Sequence, residues 1–226
     1  MSHGFDSIPT AVKSFASGEF VIVLDSPWRE NEGDLIISAE DFTPEKAAFM
    51  IRFTSGYLCA PMAESRAEEL DLPLMVESSQ DPLRTAYTVT VDYQGTATGI
   101  SAANRSRTCR ALADPKVGKA EFRRPGHVVP LRARQGGVRT RQGHTEAAVE
   151  LCRLAGKQPV AVIAELVADS VPVEGKAELE AVDMMQRDDC ISFAKRFGLK
   201  ICTIEDLVAY LDGSAAVTAN GDVQSS

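Results

Sequence analysis

Between Trp28 and Asp34 the chain gathers three carboxylates, Glu30, Glu32 and Asp34, and one guanidinium, Arg29, with Gly33 free to bend the backbone among them. Like charges this dense repel unless something positive sits between them. The two common remedies are a divalent cation held by hard oxygen ligands and a basic substrate. A second polar cluster, Arg141, Gln142, Gly143, His144 and Thr145, follows about 110 residues later. It stands at an apparent helix start, where backbone N–H groups can hold an anion, and Arg141 with the Thr145 hydroxyl would complete a phosphate cradle. For the wider series Arg132, Arg134, Arg139 and Arg141, an exposed basic stripe is the competing reading. Of the three histidines, His3 lies in the N-terminal tail, whereas His127 and His144 each follow a glycine in a polar turn. Glu165 interrupts the most continuous apolar run of the chain, and a carboxylate on a buried strand needs a partner or a raised pKa. Cys59 ends a short strand that could reach the same region and reads first as a packed thiol.

The elements that must position these groups follow from periodicity and punctuation. Ser7 can cap a first helix with the apolar stripe Ile8, Ala11, Val12 and Phe15, stopped by Gly18. A strand over 20–24 empties into the acidic loop, and a second over 35–37 leaves it, so the loop is the tip of a hairpin. Thr43, Pro44 and Glu45 start a helix towards Gly56, and residues 57–60 form a short strand stopped by Pro61. A polar helix over 64–70 leads to a surface loop at 78–82, and 87–91 alternates as a strand with one wet face. A helix over 101–112 comes next, then a turn at 123–127 delivering His127 to a strand at 128–131. A helix over 145–155 and a central strand over 159–167 follow. Residues 169–188 form a charged surface excursion; a helix over 190–197, a strand over 199–202 and a last helix ending at Leu211 close the order. Strands and helices interleave, yet some strands join directly, so the expected class is α+β: one mixed β-sheet covered by helices in a three-layer arrangement. This single domain spans 1–211, and the polar residues 212–226 form a disordered tail.

Composition narrows the partners. The 226 residues, 44% hydrophobic and 25% charged, suffice for one sizeable core. A net charge of -8 and a pI near 5.0 disfavour a long nucleic acid, whose phosphates call for clustered Lys and Arg. No apolar run approaches the roughly 20 residues that cross a bilayer, and no export leader is visible, so a soluble, cytoplasmic protein is expected. The five cysteines, Cys59, Cys109, Cys152, Cys190 and Cys202, include no C-x-x-C pair, which points to reduced thiols. The glycine fingerprints of dinucleotide and P-loop sites are missing.

Four separated stretches carry a resemblance: Asp25 to Asp34 with Arg-Glu-Asn-Glu-Gly-Asp, Thr98-Gly-Ile-Ser-Ala-Ala-Asn-Arg105, Arg124-Pro-Gly-His-Val128 and Thr140-Arg-Gln-Gly-His-Thr-Glu146. Together they resemble the 3,4-dihydroxy-2-butanone 4-phosphate synthases of riboflavin biosynthesis, over about 15–211. The resemblance implies conversion of ribulose 5-phosphate to 3,4-dihydroxy-2-butanone 4-phosphate and formate, with Mg2+ as cofactor, Mn2+ being compatible with a mixed carboxylate and imidazole set. It implies a homodimer with sites near the subunit interface. It makes Glu30 and His144 metal ligands and gives the substrate to Arg29, Glu30, Asp34, Arg141, Gln142, Gly143, His144, Thr145 and Glu165. Catalysis falls to His127, Glu165, Asp34 and Glu32. The reaction would pass through a metal-stabilised enediolate, dehydration, skeletal rearrangement and loss of carbon 4, with Arg141 and Thr145 holding the phosphate and the acidic loop as lid. Gln142 stands where many relatives have glycine, and the 169–188 excursion is longer than in compact bacterial members. Competing functions are another metal-dependent sugar-phosphate isomerase or lyase, and a non-catalytic nucleotide- or RNA-binding relative of the fold. No fused GTP cyclohydrolase II domain is expected after Leu211.

Overall fold

The computed structural model describes residues 4–168 and 170–221, with side chains to 213. In chain order the elements are α1 Ile8–Ala16, β1 Val21–Leu24, β2 Gly33–Ser38, α2 Pro44–Phe53, β3 Cys59–Met62, α3 Glu64–Glu69, β4 Val91–Tyr93, α4 Ala102–Ala113, β5 Phe122–Arg132, α5 His144–Leu154, β6 Ala161–Glu165, α6 Arg187–Phe197, β7 Lys200–Thr203 and α7 Ile204–Gly221. The seven strands form one sheet in the order β4-β5-β3-β6-β2-β1-β7. It is mixed: β1 and β7 run parallel, as do β3 and β5, and the other pairings are antiparallel.

Alternation along the strands divides the core in two. Ile22, Leu24, Leu35, Ile37, Val162 and Ala164 face one side and pack with Met50 of α2, Leu112 of α4 and Phe193 of α6. Val21, Val23, Ile36, Cys59, Ile163 and Cys202 face the other, against Ala11 and Phe15 of α1, Ala148 and Leu151 of α5, and Leu207 of α7. This is the expected three-layer arrangement, with β6 in the middle of the sheet and buried on both faces.

Several boundaries differ from the sequence reading, each for a tertiary reason. β3 runs through Pro61 instead of stopping there. On one side its pairing with β5 is continuous from Cys59–Val129 to Met62–Arg132, and this carries the strand through; on the other side the contact with the β6 segment is broken between Cys59–Ile163 and Met62–Val160, where Pro61 has no N–H to donate. The strand expected at 87–91 is displaced to Val91–Tyr93, and Tyr87 and Thr88 make only isolated bridges, to Leu131 and Leu74. The expected turn at 123–127 is part of β5, which carries a cis Arg124–Pro125 bond within a continuous strand. α5 starts one residue early, at His144, with Gly143 as N-cap. α7 continues beyond the expected end at Leu211 to Gly221, and 222–226 of the expected disordered tail lie outside the described residues.

Candidate active site

One buried carboxylate organises the acidic loop. Asp25, 5% exposed at the end of β1, accepts the N–H of Glu30 at 3.0 Å and that of Glu32 at 3.0 Å, and receives Arg29 Nη1 at 2.8 Å. Arg29 also pairs with the Glu30 carboxylate. At the loop's tip Asn31 adopts a left-handed φ of 56°, and its side-chain amide donates to Gln186 beside α6. The hairpin register then places Asp34 opposite Val23 on one side and Glu165 on the other. Because strand residues two apart share a face, Asp34 lies on the side of Ile36 and Glu165 on the side of Ile163, the face that α5 covers.

The N-terminus of α5 brings His144 to this pair. Its Nε2–H donates to the Val23 carbonyl at 3.1 Å, which leaves the Nδ1 lone pair facing Asp34 Oδ1 at 3.5 Å and Glu30 Oε2 at 4.0 Å. Burial lowers the His144 pKa to about 4, so the ring is neutral at pH 7. Burial also raises Asp34 well above the usual carboxylate range, assisted by the charges of Glu165, Glu30, Asp25 and Glu32. Glu30 and Glu32 are raised for the same first reason, desolvation. Asp34 Oδ1 is buried without a hydrogen-bond partner. Lone pairs of an imidazole and two carboxylates that converge on one point, one of them orphaned, fit a cation between them. Among the described residues no group of three or more His, Cys, Asp or Glu has metal-holding geometry. The donors therefore work in pairs, His144 with Asp34 Oδ1 at 3.5 Å or with Glu30 Oε2 at 4.0 Å, which suits a hydrated ion such as Mg2+, usually bound by one or two carboxylates and its own waters.

The groups expected to cradle a phosphate come together from distant parts. Arg141 Nε donates to the Leu83 carbonyl at 3.1 Å, Nη1 to Glu146 Oε2 at 2.6 Å and Nη2 to Thr85 Oγ1 at 2.9 Å, leaving one N–H on each terminal nitrogen for an anion. Gly143 lets this happen, since a Cβ there would collide with Arg141 Nη1. The first-turn N–H groups of α5, unpaired within any helix, and the buried Thr145 hydroxyl stand beside them, an arrangement that suits an anion.

Arg29, Glu30, Asp34, Cys59, Thr85, Tyr87, Leu131, Arg141, His144, Thr145, Ile163 and Glu165 line one cleft of about 60 Å³. Four sequence candidates, Glu32, His127, Gln142 and Gly143, are not in its wall. The Gln142 side chain is exposed, and Glu32 sits on the loop rather than in the cleft wall. His127, two residues before the Val129 that pairs with Cys59, also lies outside. Its Nδ1 is 2.7 Å from Asp92 Oδ2, and its N–H donates to Asp92 Oδ1 at 3.0 Å, an oriented imidazole whose side chain is 41% exposed. Cys59 is fully packed, and burial first, then Glu165 and Asp34, raises its thiol pKa well above the ordinary value. A larger groove of about 620 Å³, lined by Tyr57, Leu74, Met75 and Val76, adjoins the cleft through Thr85 and Tyr87. Sequence reasoning missed Asp25, Thr85, Asp92 and Glu146 as supporting groups. Only Glu146 left a local signal, an acid three residues after the helix N-cap.

The model of the 3,4-dihydroxy-2-butanone 4-phosphate synthase family matches residues 9–210. A 3,4-dihydroxy-2-butanone 4-phosphate synthase of Pyricularia oryzae is 57% identical over 210 residues, covering 92% of this chain and 90% of that protein. The protein of the same name from Schizosaccharomyces pombe is 52% identical, covering 92% and 98%. A crystal structure described as 3,4-dihydroxy-2-butanone 4-phosphate synthase in complex with two magnesium ions superposes with a TM-score of 0.92 at 56% identity, over 93% of this chain and 99% of that one. With the same sheet, the same layers and a match along nearly its whole length, this chain belongs to the 3,4-dihydroxy-2-butanone 4-phosphate synthase family.

Proposed function

We propose that residues 1–211 convert D-ribulose 5-phosphate to L-3,4-dihydroxy-2-butanone 4-phosphate and formate, the step that supplies the four-carbon unit of riboflavin. The observation that carries this reading is the single cleft in which a buried imidazole and two carboxylates converge beside an arginine and a helix N-terminus. One end suits a cation, the other a phosphate. Glu30 and His144 are the proposed ligands of Mg2+, with Mn2+ compatible with the imidazole; the relative crystallised with two magnesium ions supports the first choice. When bound, the ion supplies positive charge that makes a proton beside the substrate carbonyl easier to remove.

The protein groups do the rest. Arg141, Gly143 and Thr145 hold the phosphate and set the distance from it to the carboxylates, with Gln142 at the rim. Arg29 steers the Glu30 carboxylate. A carboxylate of the acidic loop, Asp34 or Glu32, takes the carbon 3 proton; burial has raised both, so each holds a proton better than an ordinary carboxylate. Glu165 and His127 serve the later proton transfers of dehydration, rearrangement and formate release.

For His127 to take part, a homodimer is needed in which His127 of the partner subunit enters the cleft. The exposed apolar residues Tyr57, Met75 and Val76 beside the cleft support such an interface. The enzyme works in the cytoplasm, a reading supported by five buried, unpaired cysteines. Among the described residues no helix is long and apolar enough to cross a membrane. Incubating purified protein with ribulose 5-phosphate should release one formate per substrate consumed when Mg2+ is present and none when it is chelated. Conversion of the substrate without formate would mean an isomerase or aldol lyase instead.

A further inference from the structure

We propose that Ser55 is a positioning residue for Glu165, its hydroxyl fixing how that carboxylate enters the cleft. The inference rests on the reading of Glu165 as a group that acts on substrate. Glu165 is the last residue of β6, where its three rotatable side-chain bonds would leave the carboxylate free to swing. The turn that ends α2 prevents this. Ser55 N–H donates to the Glu165 carbonyl at 2.8 Å, and Ser55 Oγ lies 2.8 Å from Glu165 Oε2. The direction of that second bond is set locally. Ser55 Oγ also accepts the Tyr57 N–H at 3.3 Å, and Glu165 has no hydrogen of its own when ionised, so the single hydroxyl proton points to Oε2. One carboxylate oxygen is thus held from behind, and the other is left for the cleft that Glu165 lines.

The turn itself is rigid. Thr54 Oγ1 donates to the Met50 carbonyl at 2.6 Å and accepts the Gly56 N–H at 3.1 Å. Gly56 takes a φ of +70°, and its carbonyl receives Nη1 of the buried Arg105 at 3.0 Å from α4. Ser55 is exposed and outside the cleft wall, so its loss removes an orientation and no core packing.

The test uses the full chain with Mg2+, ribulose 5-phosphate and formate release, beside thermal melting. Ser55→Ala should lower kcat about 10-fold, since a hydrogen bond to a charged group is lost, with KM within about 2-fold and the melting temperature within about 2 °C. Ser55→Thr, which keeps the hydroxyl, should return kcat to within about 2-fold of the unmodified rate. An unchanged kcat in Ser55→Ala while Glu165→Gln is inactive overturns the positioning role and leaves the Glu165 reading intact. Glu165→Gln at full rate overturns both. A Ser55→Thr protein as slow as Ser55→Ala also overturns the proposal, because shape rather than the hydroxyl would then matter.

Discussion

An imidazole is useful as an acid or base only when its tautomer and ring plane are fixed, and at His127 both are set by Asp92. The carboxylate is 4% exposed and spans the residue, one oxygen on the backbone N–H and the other on Nδ1, so Nε2 is left to exchange protons. Gly99, at a φ of +87°, allows the loop to close over the pair, since a Cβ there would collide with the Asp92 carboxylate. Asp92→Asn keeps the size but offers an amide that can also donate to Nδ1, which favours the other tautomer. We expect kcat for formate release to fall about 100-fold, the range of one misplaced general acid–base group, with KM little changed. A kcat within 2-fold of the unmodified protein would remove Asp92 from the catalytic apparatus. The same logic explains why Asp25 matters. Without its two accepted N–H bonds, the acidic loop would not hold Glu30 towards His144.

At the scale of elements, the start of α5 shapes the end of the cleft proposed to take the phosphate. Gly143, the N-cap, admits Arg141 against it and Glu146 three residues on, and its φ of -117° is one any residue adopts, so the need for glycine is one of space. Gly143→Ala should therefore push Arg141 off Glu146 and Thr85 and raise KM for ribulose 5-phosphate about 10-fold, while the fold survives. Wild-type KM in that variant would mean the cradle is not at α5. What the sequence made legible follows from the same geometry. The cleft residues Arg29, Glu30 and Asp34, and Arg141, His144 and Thr145, could be picked out because each set is clustered in the chain, and Glu165 because a carboxylate breaks an apolar strand. Asp92 and Thr85 could not. Their partners lie 35 and 56 residues away, brought near by the β4–β5 pairing in the first case and by the packing of two loops in the second. Strand ends at Pro61 and Val91 were misplaced for the same reason: which N–H groups need partners depends on the neighbouring strand, which local propensity does not reveal.

On the scale of the whole molecule, the cleft and His127 are parts of one proposed machine that a single chain does not bring together. Asp34, Glu165 and His144 lie where β1, β2 and β6 meet α5, whereas His127 sits on β5 towards the far edge of the sheet and faces solvent. In a two-fold dimer each surface meets its own copy, so a His127 that reaches the partner's cleft is matched by the partner's doing the same. This predicts complementation between inactive variants. Neither His127→Ala nor Glu165→Gln homodimers hold a complete site. Co-refolded in equal amounts, half of the dimers are mixed, and in each of these one of the two sites combines an intact Glu165 with an intact histidine from the other subunit. Formate release should recover to about a quarter of the unmodified rate, under random pairing and independent sites. If both groups came from one subunit, each mixed dimer would have two broken sites, and no recovery would occur at any mixing ratio.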